Sequence, residues 1–195
     1  MEQMDFFELI QKTRTYRRFY EDRPVSREQL RTLIQYASLT PSGGNKMPLK
    51  YIACADAKTN GIIFSCLGWA AYLPDWDGPE PGERPAAYLI MLRDTSISNS
   101  TATDEGIQAE AVMLGATSLG LGGCIMGNVR RAELAAALNI SAPYEIALVL
   151  ALGVPKEKII IEQVSPDGSI KYWHDESGAN HVPKRTPEQL LIKEY

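Results

Sequence analysis

The sequence predicts an α+β chain built as a three-layer sandwich, and three observations carry that expectation. The run Ile146-Ala147-Leu148-Val149-Leu150-Ala151-Leu152 is far too short to span a bilayer and reads as a buried strand. The stretch from Asp104 to Gly120 places Ala109, Ala111, Gly115 and Ala116 on more than one side, the pattern of a buried helix that another helix approaches closely. Helix and strand signals are mixed, without the regular alternation of a doubly wound fold.

In chain order, Asp5 to Lys12 reads as a short helix. Ser26-Arg27-Glu28-Gln29 is a capping box that opens a second helix with Leu30, Leu33, Ile34 and Ala37 on one face, and this helix must stop before Pro41. Leu49 to Ala55 has the apolar content of a strand, Thr59 to Leu67 that of a helix, and Ala86 to Leu92 that of a second strand. The long helix ends at Gly120, which suits a C-terminal cap. Gly123 to Gly127 reads as a short strand before a helix from about Arg130 to Leu138, with Asn128 as its N-cap, and Ile146 to Gly153 as the most buried strand. The chain then turns at Pro155 and at Pro166-Asp167-Gly168 and finishes in a polar tail. One domain over residues 1–195 is expected, with an excursion at about 69–85 and a tail from about 155 to 195; 45 % apolar residues are ample for its core.

Composition narrows the function. A net charge of −4 with no long basic tract lacks the electrostatic footprint of a nucleic-acid binder and favours small-molecule partners. The first residues carry acid rather than a positive n-region and no apolar stretch follows, so a cytoplasmic protein without a membrane span is expected. Cys54, Cys66 and Cys124 are odd in number, widely spaced and read as reduced. Neither His174 nor His181 has metal-ligand spacing, so no metal is expected. There is no G-x-S-x-G elbow, no P-loop and no G-x-G-x-x-G fingerprint. The acid pairs Asp75/Asp77 and Asp175/Glu176 lie in polar turns and read as solvated. An enzyme this poor in reactive side chains takes its chemistry from a cofactor.

Two segments point to an anionic one. Arg14-Thr15-Tyr16-Arg17-Arg18-Phe19 concentrates cations and a hydroxyl where a helix ends, and Pro41-Ser42-Gly43-Gly44-Asn45-Lys46-Met47-Pro48 is a turn whose hydroxyl and backbone N–H groups suit an anion nest. A basic tract, His181-Val182-Pro183-Lys184-Arg185, could close on the same anion. Against this stands the plain reading of each piece, a solvated cationic run and an ordinary turn.

Taken in order, these segments resemble the FMN-dependent nitroreductase family. The likeness runs through Thr13-Arg14-Thr15-Tyr16-Arg17, the loop from Pro41 to Leu49, the helix Gly106-Ile107-Gln108-Ala109-Glu110 and the strand Gly120-Leu121-Gly122-Gly123-Cys124-Ile125-Met126-Gly127, over about Phe6 to Leu190. Thr13 stands where the family often has Arg, Thr15 replaces Ser, Met47 replaces Gln and Leu49 replaces Trp. The resemblance implies a mixed, mostly antiparallel sheet flanked by helices, with the long helix at a homodimer interface that holds the flavin. It assigns Arg14, Thr15, Arg17, Lys184 and Arg185 to the phosphate, and Pro41, Ser42, Gly43 and Asn45 to the ring and ribityl edges, from the other subunit. It sets Ile125, Met126 and Gly127 at the reactive edge, with the Met126 backbone N–H supporting flavin N5 and no catalytic side chain.

The implied activity is transfer of a hydride from NADH or NADPH to FMN and on to a nitroaromatic, quinone or similar acceptor, in ping-pong order. The alternatives are a specialised flavin reaction, such as dehalogenation or flavin breakdown, and a non-catalytic flavin-binding protein. For Trp69, Tyr72 and Trp76 a lid over the flavin and a surface cluster or core plug stand as equal readings, Arg18 reads as a solvated charge, and Cys124 as a small core residue.

Overall fold

The structure is a computed structural model that describes residues 4–73, 76–165 and 167–195. The expected turn residue Pro166 and one member of the Asp75/Asp77 pair therefore lie outside the described residues. The chain divides into two compact units, Met1–Trp69 with Gly78–Lys156, and Ala70–Asp77 with Glu157–Tyr195.

The first unit contains helices α1 (Phe6–Lys12), α2 (Arg27–Ser38), α3 (Ala57–Ser65), α4 (Ala102–Ser118) and α5 (Arg131–Ala137). Its strands are β1 (Phe19–Tyr20), β2 (Leu49–Cys54), β3 (Ala87–Asp94), β4 (Gly122–Met126) and β5 (Tyr144–Pro155). All pairings among these strands are antiparallel: β5 is central, with β3 and then β2 on one side and β4 and β1 on the other. Register follows the alternation of apolar side chains. Leu89, Met91, Leu150 and Leu152 face one cluster with Leu30 and Leu33 of α2 and Val112, Met113 and Ala116 of α4. Tyr88, Ile90, Val149 and Ala151 face a second cluster with Ile63 of α3 and Leu134 of α5. A sheet apolar on both faces needs a helical layer on each, which yields the expected sandwich.

Local signals set most boundaries. Asp5 caps α1 through the Glu8 N–H, and Ser26 with Gln29 forms the expected capping box on α2. Three details differ from the sequence expectation. Helix α4 starts before Asp104, which leaves that residue inside its first turn. The residue flanking α5 is Arg130, not Asn128, because the Asn128 carbonyl accepts from the Gly68 N–H and its amide lies against the Gly68 backbone. The two-residue strand β1 escapes any pattern that needs several alternations.

The second unit contains β6 (Ile159–Gln163), β7 (Trp173–His174), β8 (Asn180–Lys184) and the short helix α6 (Pro187–Leu190). A polar tail was expected here; instead β8 pairs in parallel with β6 and antiparallel with β7. These strands are short and mostly half-exposed, and β8 contains Pro183, so they carry no hydrophobic period and one residue that argues against a strand. Tyr72 packs on Tyr172 within this unit, ring centroids 5.1 Å apart.

His181 is held through both ring nitrogens. Its Nδ1 lies 2.5 Å from Glu162 Oε1, its Nε2 lies 3.1 Å from Asp175 Oδ2, and its ring stacks on Trp173 at 4.1 Å. Asp175 also accepts the Ser177 hydroxyl and the N–H groups of Ser177 and Ala179, so it organises a turn rather than sitting free in solvent. The hydrogen bonds that the His181 ring makes to Asp175 and then to Glu162 raise its pKa above the ordinary 6.5. A raised pKa means that this charge stabilises the fold fully below the unfolded value and that the contribution is lost as pH rises through the folded one. An NMR titration of the His181 ring should give a midpoint above 6.5 that falls in Asp175→Asn; an unshifted midpoint in the wild type would refute the paired arrangement.

Candidate functional site

The candidate phosphate segment begins where α1 ends. Thr13 is buried; its hydroxyl donates to Leu9 O at 2.7 Å and meets the Thr117 hydroxyl of α4 at 3.0 Å. The Arg14 guanidinium folds back on the exposed carbonyls of the helix end, bonding Ile10 O at 2.9 Å and Thr13 O at 2.5 Å. This fixes its direction and leaves its other N–H groups for a ligand. Thr15 is exposed and forms a parallel bridge with Gly123, and the Tyr16 N–H donates to Gly123 O at 2.9 Å. The segment thus runs along the open edge of β4, and the structure brings Arg14, Thr15 and half-buried Arg17 to the strand that ends in Ile125-Met126-Gly127.

At that end of β4 the side chains alternate. Met126 is buried in the core, whereas Ile125 is 40 % exposed and Gly127 is exposed, so Met126 offers only its backbone to a ligand. Met126→Ala should accordingly destabilise the fold by about 2–4 kcal/mol through the cavity it leaves. Urea unfolding measures this, and a change below about 1 kcal/mol would contradict the buried placement.

The loop from Pro41 is built at the other end of α4. Asp104, buried in the first turn, accepts the Ser42 hydroxyl at 2.5 Å and the Gly43 N–H at 2.9 Å, and Ser42 Oγ in turn accepts the Met47 N–H at 2.9 Å. Gly44, Asn45 and Met47 all have positive φ, at 60°, 55° and 50°, a region that costs non-glycine residues energy. Pro41, Gly43 and Asn45 are exposed around this pin. Asp104 was missed as a site residue: an acid in a first helical turn is commonplace, and no local signal couples it to a serine 62 residues upstream.

The two motifs are not side by side. Thr117 and Asp104 stand about 20 Å apart along α4 at about 1.5 Å per residue. Lys184 and Arg185 belong to the second unit, exposed at the end of β8. His181 of the same basic tract is engaged by two carboxylates.

Other expectations are corrected or refined by the surroundings. Arg18 is not a solvated charge: it pairs with Glu83 through Nε at 2.5 Å and NH2 at 2.8 Å, and Lys156 reaches the same carboxylate at 2.8 Å. These bonds, that of Arg18 foremost, hold the Glu83 carboxyl down at about 2. The three aromatics of the excursion do not act as one group: Trp69 packs against Phe64 in the first unit, while Tyr72 and Trp76 belong to the second. All three cysteines are free and buried, and burial pushes the Cys54 thiol up to about 11. Among the described residues no cluster of His, Cys, Asp or Glu could hold a metal, and no helix is long and apolar enough to cross a membrane.

Residues 10–154, most of the chain and the whole span that carries these two motifs, match the profile of the Nitroreductase family. The chain belongs to the Nitroreductase family. It is 27 % identical over 154 residues to an Archaeoglobus fulgidus protein named for NADH dehydrogenase/NAD(P)H nitroreductase activity, covering 75 % of this chain and 83 % of that one. It is 26 % identical over 179 residues to a 5,6-dimethylbenzimidazole synthase of Rhodospirillum rubrum, covering 77 % and 82 %. A Desulfovibrio desulfuricans structure named as a nitroreductase in complex with FMN superposes over 97 % of this chain and 96 % of its own, with a TM-score of 0.69 at 21 % identity. For this nitroreductase-family chain that likeness is one of fold.

The donors of the site fit a phosphorylated flavin. Two guanidinium groups and a hydroxyl within four residues match a phosphate dianion, and the edge of β4 beside them ends in an exposed turn with backbone groups at hand.

Proposed function

We propose that the protein is an FMN-dependent oxidoreductase that uses NADH or NADPH and passes the electrons to a nitroaromatic, quinone or similar acceptor. The observation that carries this reading is the pairing of Thr15 with Gly123, by which the Arg14–Arg17 segment and the Ile125–Gly127 turn share one strand edge. Bound there, FMN would supply the hydride-accepting ring. Arg14, Thr15 and Arg17 would hold its phosphate. As in the family it resembles, the backbone at Met126 would lie at the ring edge and would favour the charge that reduction places there.

The site is built from two chains, with the Pro41–Asn45 loop supplied by a partner copy. The separation of about 20 Å supports this, because each chain's loop and phosphate segment stand at opposite ends of its own α4. Helix α1 adds support: it buries none of its residues, and Phe6 and Phe7 are each 71 % exposed, an apolar face suited to a second copy.

A specialised flavin reaction, such as breakdown of the flavin itself, is the second reading, favoured by a relative that bears the name of a synthase rather than a nitroreductase. The test is the visible spectrum of the purified protein before and after NADH or NADPH under anaerobic conditions. Flavin bands that bleach support the oxidoreductase. Bands that persist favour the specialised reaction, and absence of protein-bound flavin after addition of FMN and removal of the free cofactor would sink both.

A further inference from the structure

The excursion of the sequence ends at Arg84-Pro85, beside a cavity of about 220 Å³. It lies on the face of the sheet that carries Tyr88 and α3, opposite α4 and the loop that α4 pins. Three buried polar atoms of its lining residues have no hydrogen-bond partner among the described residues. They are the Tyr88 hydroxyl, the Arg84 Nε and the Asn60 Oδ1. Tyr88 is 0 % exposed, and the Asn60 amide nitrogen is already committed to Ala86 O at 2.8 Å, which fixes its oxygen on the remaining side. Buried polar atoms are nearly always satisfied in folded proteins, so three unsatisfied ones lining one cavity point to a missing ligand.

The charges around the cavity define that ligand. Arg84 lies over the Phe64 ring, 4.3 Å from its centroid, and has no carboxylate within ion-pair distance among the described residues. Glu21 also lines the cavity, its carboxylate held by the N–H groups of Gly82 at 2.5 Å and Arg84 at 3.3 Å. The fields of both Glu21 and Arg84 are felt at Tyr88, in opposite senses. One cavity therefore offers a cation, a hydroxyl, a carboxylate and an amide oxygen. Its apolar walls include Phe64, Pro24 and Pro85.

We propose that this cavity is a second small-molecule site, for a free α-amino acid. Arg84 and the Tyr88 hydroxyl take the ligand carboxylate, Glu21 and Asn60 Oδ1 take its ammonium group, and the apolar walls take its side chain. The size agrees, since the cavity is smaller than the ~300 Å³ at which sites for drug-sized ligands begin, which excludes a nucleotide or a flavin. The site does not depend on the flavin reading, and its residues are separate from those assigned to FMN.

The test is thermal unfolding and isothermal titration of the purified protein with each proteinogenic L-amino acid in turn. At least one should raise Tm and bind, while its analogue lacking the amino group and its analogue lacking the carboxyl group should not. Arg84→Gln and Tyr88→Phe should each weaken that binding by about ten-fold or more. Tyr88→Phe removes a hydroxyl that has no partner, so the ligand-free Tm should not fall and its effect is read on binding alone. The proposal is overturned if no amino acid binds, if the analogue lacking the amino group binds as well as its parent, or if both variants keep wild-type affinity.

Discussion

Gly123→Val is expected to destabilise the protein by about 3 kcal/mol and to abolish flavin retention. A Cβ at this position would sit 2.8 Å from Ala151 O and 2.8 Å from Met113 Sδ. The sulfur is the end of a flexible side chain and can yield. The carbonyl belongs to the central strand β5, paired with β4 on one side and β3 on the other, and cannot move without breaking a ladder. Gly123 is also the residue that Thr15 bridges, so displacing it moves the cationic segment away from the Ile125–Gly127 turn. Both effects follow from one contact, which is why loss of stability and loss of flavin should come together. Gly61→Ala serves as the control: nothing lies within 4 Å of its Cβ position and it sits within α3, so the change should be neutral or stabilising by up to about 1 kcal/mol. Denaturant midpoints with a flavin fluorescence titration measure both. A Gly123→Val protein with the wild-type midpoint would show that β4 is not packed as described.

The same glycine illustrates what the sequence could and could not say. Gly122-Gly123 was legible as part of a Gly-rich strand within a familiar order of motifs, and that order pointed to the fold, the family and the candidate cofactor. The strands β3 and β5 were legible because burial on both faces leaves a near-continuous apolar run. Interactions between residues far apart in sequence that leave no local periodicity were not. Arg18 read as a surface charge because its partner, Glu83, lies 65 residues away inside an excursion with no regular pattern. The sheet of the second unit was invisible because its strands are short and half-exposed, and its key contacts are polar ones around His181 and Asp175. Asp104 belongs to the same class. Its residue type suited a helix N-terminus, which is true of it, and concealed its role in holding the loop from Pro41.

That role makes Asp104→Ala the second large effect: about 2–3 kcal/mol of stability and a marked loss of FMN affinity. The substitution leaves the Ser42 hydroxyl and the Gly43 N–H without their shared carboxylate, and bonds to a charged acceptor are among the stronger ones. It also removes the anchor of Ser42, whose Oγ and carbonyl accept the N–H groups of Met47 and Asn45 and so help to hold their left-handed conformation. The two-chain site adds a sharper expectation. Arg14→Ala damages the phosphate end of a site and Asp104→Ala its loop, each nearly emptying the homodimer of flavin. In a mixed dimer one site takes both defects and the other takes neither, because loop and phosphate segment come from different chains. Co-refolding the two variants in equal amounts should therefore restore about a quarter of the sites by random pairing. A site built within one chain carries one defect in every copy and recovers nothing. Bound flavin per chain, measured in the mixture against each variant alone, decides between a shared and a self-contained site.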